Sequence, residues 1–227
     1  AVQEEAKARG FEVFDATCPL VTKVHVEVAK LHKLGFEFIM IGHQGHPEVE
    51  GTMGQLSSGI HLVETVADVA LVQTHQEELL AVVTQTTLSV DDAAEIMAAI
   101  QQRFPKIQKP KQQDICYATQ NRQDAVKFMA PQVEVVIVVG SKASSNSNRL
   151  RELSEKLGVP SYMVDAPEQL EEKWFEGKKR IGLTAGASTP EAIVQRCIKR
   201  LMDLGVTTVE DVVYTIEDVV FQLPKPV

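Results

Sequence analysis

Short apolar runs rich in Val, Ile and Phe alternate along this 227-residue chain with stretches of helical periodicity. That alternation constrains the fold more than any other feature. Strands are expected at residues 12–14, 36–41, 59–63, 80–84, 133–139, 161–164 and 179–183. Several of these runs show little in/out alternation, as strands covered on both faces do. Helices are expected over 22–34, 90–103, 147–157 and 190–204. Gly35, Gly158 and Gly205 follow three of them, where a left-handed C′ glycine belongs. Strand–helix alternation of this kind predicts an α/β fold with mainly parallel sheets.

A Pro/Lys/Gln-rich stretch at 104–111 reads as an interdomain linker. It separates one α/β domain over 19–112 from another over 113–205. Residues 1–18 open mid-helix without an initiator Met and read as the remnant of a further α/β domain. The tail, 206–227, carries strand-like runs at 212–216 and 219–223 and is expected to pack on that N-terminal domain. Hydrophobic residues make up 44% and charged residues 24%, which is ample for a globular core. The net charge of −8 argues against general attraction to nucleic acid or an anionic membrane, although a local pocket could still take a small anion. Three Cys without a CxxC pair point to a reducing compartment, hence the cytoplasm. No stretch approaches the roughly 18 apolar residues of a membrane helix.

In parallel sheets, ligands bind outside the carboxyl ends of strands, and four polar loops occupy such positions. Ser144-Ser145-Asn146-Ser147-Asn148 gathers short hydrogen-bonding side chains at a helix start, where free N–H groups and the positive dipole end suit phosphate oxygens or a plain cap. Ala185-Gly186-Ala187-Ser188-Thr189-Pro190 offers the same pair of readings. Gln85-Thr86-Thr87-Leu88-Ser89 is the third loop. Gly42-His43-Gln44-Gly45-His46-Pro47-Glu48 fits an acid/base or anion site, a solvated turn, or a zinc site that lacks a third ligand. Cys18 and Cys116 each lie beside a chain junction. They are either small buried hydrophobes or thiolates gathered from separate segments around an iron–sulfur cluster. Cys197 shares a helical face with Ile193, Val194, Ile198 and Leu201 and reads as core.

Six ordered motifs are jointly familiar: Asp15-Ala16-Thr17-Cys18-Pro19, Gly42 through Gly51, Gln85-Thr86-Thr87, Ile115-Cys116-Tyr117-Ala118-Thr119, Ser144-Ser145-Asn146-Ser147-Asn148-Arg149 and Thr184-Ala185-Gly186-Ala187-Ser188. Together they resemble the LytB/IspH family of 4-hydroxy-3-methylbut-2-enyl diphosphate reductases across the whole chain. The resemblance implies reductive dehydroxylation of an allylic diphosphate to isopentenyl and dimethylallyl diphosphates, the last step of the methylerythritol phosphate route to isoprenoids. It implies three α/β domains in a cloverleaf around a [4Fe–4S] cluster, with ferredoxin or flavodoxin as electron donor in a bacterial cytoplasm. Cys18 and Cys116 match two of the three cluster ligands, and the third has no counterpart in this chain. Glu48 matches the proton donor, and Thr86 the hydroxyl beside the substrate's alcohol. His46, Ser144, Ser145, Asn146 and Ser188 match groups that hold the diphosphate. The alternatives are a cluster-free α/β module that binds a diphosphate without turning it over and, more weakly, an oligomeric scaffold.

Overall fold

The structure, a computed structural model, describes residues 2–110 and 113–226. Its elements run α1 (Val2–Ala8), α2 (Pro19–His32), β1 (Glu37–Ile41), α3 (Pro47–Met53), β2 (Ile60–Val63), α4 (Val66–Val69), β3 (Leu80–Thr84), α5 (Val90–Arg103), α6 (Tyr117–Met129), β4 (Val135–Val139), α7 (Ser145–Lys156), β5 (Ser161–Val164), β6 (Ile181–Ala185) and α8 (Glu191–Asp203). Two three-stranded sheets result, ordered β2-β1-β3 and β5-β4-β6. All their strand pairs are parallel, as the apolar runs require. Phe38 stands opposite Ile60 and Ala81, and Val136 opposite Ser161 and Gly182.

Successive side chains of a strand point to opposite faces, so each central strand feeds two cores. From β1, Ile39 and Ile41 join Ile96 and Ile100 of α5, whereas Phe38 and Met40 meet Val24 and Val28 of α2. From β4, Val135, Ile137 and Val139 pack with Cys197 and Leu201 of α8, while Val136 and Val138 meet Val126 of α6 and Leu150 of α7. Cys197 is fully buried there, as its helical face predicted. The three C′ glycines take φ of +88°, +81° and +111°.

Three segments differ from a plain strand or linker in this structure. The stretch at 104–111 is no free linker over its described part: Phe104 and Ile107 are buried, and Gln108 bridges to Ala81 as a short parallel addition to the first sheet. Lys111 and Gln112, and with them the boundary drawn at 112, lie outside the described residues. The strand expected at 12–14 shrinks to one antiparallel bridge between Phe14 and Pro226. The runs at 212–216 and 219–223 join neither sheet; they extend over the surface with Ile216, Val220 and Leu223 85–89% exposed. The residue pattern for a strand is there, but among the described residues these runs pair with neither sheet. Helix α6 went unforeseen because its Thr-Gln-Asn-Arg-Gln run dilutes the apolar face that Val126 provides.

Candidate active site

All four polar loops leave the carboxyl ends of strands and enter helices: β1 to α3, β3 to α5, β4 to α7 and β6 to α8. The Ser144–Asn148 and Thr184–Pro190 loops interlock through Ser147, which is buried. A Cβ on Gly140 or Gly186 would collide with Ser147 Oγ, so a larger residue at either position would force Ser147 to shift. Thr189 Oγ1 donates to the Val139 carbonyl at 2.9 Å and fastens the second loop to the end of β4.

Glu48 and Thr86 meet although 38 residues separate them. Thr86 donates its N–H to Glu48 Oε1 at 2.7 Å and its hydroxyl to Glu48 Oε2 at 3.0 Å. Burial pushes the Glu48 carboxyl above its ordinary 4.5, against the two Thr86 hydrogen bonds, and the nearby Asp114 adds to the rise. A carboxyl held this way keeps a proton to higher pH than an exposed one and can deliver it.

His46 caps α3, its Nδ1 accepting the Glu48 N–H at 3.2 Å. That bond assigns the ring proton to Nε2, so a neutral His46 presents one N–H to a ligand. Burial, and then the neighbouring His43, hold its pKa below the ordinary 6.5. His43 itself faces Glu64 at 3.5 Å.

At the start of α7 the expected donors divide into two kinds. The Ser144 hydroxyl is the cap, accepting from the Ser147 N–H and the Ser147 hydroxyl. Ser145 Oγ donates to the Thr87 carbonyl at 3.1 Å. Asn146 differs: it is only 5% exposed, and neither Oδ1 nor Nδ2 has a partner. Buried amides are seldom left unpaired, and an incoming oxygen-rich ligand would satisfy this one. Ser188 is exposed on the loop that Ser147 joins to this helix start.

Cys18 and Cys116 cap α2 and α6 with almost the same backbone, φ/ψ of −54°/132° and −59°/133°. Neither uses its side chain in the cap, so both thiols are left to other partners. Each therefore stands at a helix end that offers free N–H groups and positive dipole character to an anion. Both lie within electrostatic reach of the Tyr117 hydroxyl, whose pKa is raised by burial first, then by Glu217, Cys116 and Cys18. The Cys116 N–H donates to the Thr86 carbonyl at 2.9 Å and ties this thiol to the Glu48–Thr86 pair. Among the described residues no three His, Cys, Asp or Glu side chains gather as a metal site. The thiols of Cys18 and Cys116 are of the type that ligates iron.

Two residues of this region, Asp114 and Gln85, have roles that the sequence alone did not assign. Asp114 has a fully buried side chain, accepts the Thr84 N–H at 3.1 Å and faces Lys23 at 3.5 Å, linking the Cys116 segment to the helix that Cys18 starts. Burial pushes its carboxyl up to about 6 against those two partners. Gln85, fully buried, bonds within its own loop to Thr87 and to two other segments through His43 and Ser145. The signal for both is a polar residue abutting an apolar run, which obliges it to find partners.

The LytB protein family model matches residues 1–202. The chain belongs to that family. Among its relatives is the 4-hydroxy-3-methylbut-2-enyl diphosphate reductase of Polaromonas sp., 69% identical over 99% of this chain and 68% of the relative. The reductase of Ralstonia nicotianae is 65% identical over 99% of this chain and 69% of its own length. A solved structure of the corresponding reductase from Plasmodium falciparum superposes with a TM-score of 0.92 at 35% identity, covering 98% of this chain and 71% of that one. A LytB chain with this likeness shares the fold of that solved relative, and about a third of the relatives' length lies outside the match.

Proposed function

We propose that this LytB chain is the larger part of a reductase that removes the hydroxyl of 4-hydroxy-3-methylbut-2-enyl diphosphate, yielding isopentenyl and dimethylallyl diphosphates. The observation that carries this reading is the Glu48–Thr86 pair hydrogen-bonded beside Cys116, in a chain whose relatives bear that reductase's name. Replacing the allylic hydroxyl by hydrogen needs two electrons and two protons, one leaving with the oxygen as water and one going to carbon. Glu48 holds the first of these protons, and Thr86 orients the carboxyl toward the leaving oxygen. His46 Nε2–H, Asn146, Ser144 and Ser188 bind the diphosphate, joined by Ser145 once its hydroxyl turns from the Thr87 carbonyl, and hold the alcohol end near Glu48. Charge-assisted hydrogen bonds of about 1.5–3 kcal/mol each let such a set retain the anion in an acidic protein.

A [4Fe–4S] cluster, when bound by Cys18, Cys116 and a third ligand outside this chain, would supply the electrons and a Lewis acid for the oxygen. Residues 19–112 and 113–205 are then two of three α/β domains, and 1–18 with 206–227 belong to the third. The exposed Phe11, Phe14, Ile216 and Leu223 and the Phe14–Pro226 bridge support that assignment. Ferredoxin or flavodoxin would deliver the electrons in the cytoplasm; among the described residues no helix is long and apolar enough to cross a membrane.

The test joins this chain to the segment of the Polaromonas reductase outside the match, reconstitutes the product anaerobically with iron and sulfide, and measures dehydroxylation. Turnover that Glu48→Gln abolishes while substrate still binds is the expected result. Anion binding without retained iron or turnover would replace the reading with a cluster-free diphosphate-binding module.

A further inference from the structure

We propose that Gln85 is a positioning residue that sets the span of the anion site and so makes it select a diphosphate over a single phosphate. This role deepens the reductase reading and rests on its diphosphate site. The side chain is fully buried. Its carboxamide oxygen accepts the His43 N–H at 3.1 Å, and its Nε2 donates to Thr87 Oγ1 at 2.9 Å and Ser145 Oγ at 3.3 Å. One amide therefore ties together the loop after β1, the loop after β3 and the first turn of α7, the last 60 residues away. Its backbone is equally fixed, since the Gln85 N–H donates to the Ile41 carbonyl at 2.8 Å.

The chemistry admits little else at this position. The oxygen must face a backbone donor while the nitrogen faces hydroxyl oxygens, so a flipped amide or a carboxylate would lose part of the set. Gly42 completes the arrangement, because a Cβ there would press on the Gln85 Oε1 and Cβ at 3.3 and 3.4 Å and on Val49 more closely still.

The consequence for the site follows from what each tied segment carries. The His43 turn leads directly to His46, through the His46 N–H bonded to the His43 carbonyl at 3.1 Å. The first turn of α7 carries Asn146 with its unpartnered buried amide. These are two walls on two different sheets, and Gln85 fixes their separation. A single phosphate can be held by either wall alone. A diphosphate that spans both gains from a fixed gap, because the walls need no ordering when it binds.

The test measures binding of inorganic pyrophosphate and of orthophosphate separately by titration calorimetry to this chain, to Gln85→Met and to Thr87→Val. Gln85→Met keeps the bulk and deletes the bonds; Thr87→Val removes the shorter Nε2 bond from the far end without touching a proposed ligand. Gln85→Met loses three hydrogen bonds and Thr87→Val one; both should weaken pyrophosphate by about tenfold or more while orthophosphate changes by less than about twofold. Equal weakening of both anions would assign Gln85 a general folding role and overturn the proposal. So would an unchanged ratio in either folded variant. A wild-type chain that binds neither anion would instead sink the diphosphate reading, and the selectivity with it.

Discussion

Glu48 gives the Glu48–Thr86 pair its own pH signature. Its raised pKa means the folded state holds a proton that the unfolded chain releases at its ordinary 4.5. Stability from this group is complete below 4.5 and is lost as pH rises through the raised value. Glu48→Gln has no such titration, so urea unfolding across pH should show wild type losing ground to the variant as pH climbs above 4.5. A constant difference between the two would contradict the raised pKa. Asn146 makes the opposite case, a residue whose cost is structural and whose benefit is a ligand. Removing its unpaired buried amide in Asn146→Leu should raise stability by about 1 kcal/mol and abolish pyrophosphate binding. Lower thermal stability with binding intact would show that the amide is satisfied within the fold.

At the scale of elements, the join of the β4 and β6 loops depends on a missing side chain. Gly186→Ala forces a Cβ against Ser147 Oγ and should cost about 1–3 kcal/mol. Adding Ser147→Ala leaves Thr189 Oγ1 at 3.3 Å and the residue 147 Cβ at 3.5 Å, so the double variant should recover most of the loss in denaturant unfolding. Simple additivity of the two would place the strain elsewhere. Between the two sheets the ties are of unequal weight. Gln123, buried on α6, accepts the Val90 N–H at 3.0 Å and donates to the Leu88 carbonyl at 2.8 Å, satisfying backbone groups at the start of α5. The surface pairs Lys127–Asp91 and Lys156–Asp92 lie alongside and contribute little by comparison.

For the whole molecule, the surface tail is the part least held by its own chain. Glu217 reaches Asn121 at 3.1 Å and Arg122 at 3.5 Å, and Tyr214 lies 6.0 Å from the Phe128 ring. Ending the chain at Val206, which still packs on the second sheet, should change unfolding stability by no more than about 1 kcal/mol. It should also lower the binding of an apolar dye, because Ile216, Val220 and Leu223 leave with the tail. A cooperative loss of structure would show that the tail belongs to the core of this chain.

The strand run Leu80–Thr84 was legible residue by residue, because a strand buried on both faces is apolar at nearly every position. Helix α6 and the docked part of the 104–111 stretch were not, since a polar helix and a Pro-rich segment acquire their place from a sheet that the local sequence does not contain. By itself the sequence determined the two α/β units, the loops at their strand ends and, through motif order, the family. Only the tertiary structure brought Glu48 to Thr86, left Asn146 without a partner, and seated Gln85 between His43 and Ser145. Those contacts join residues up to 60 positions apart, and hydrogen-bond geometry across such distances is decided by how the sheets pack.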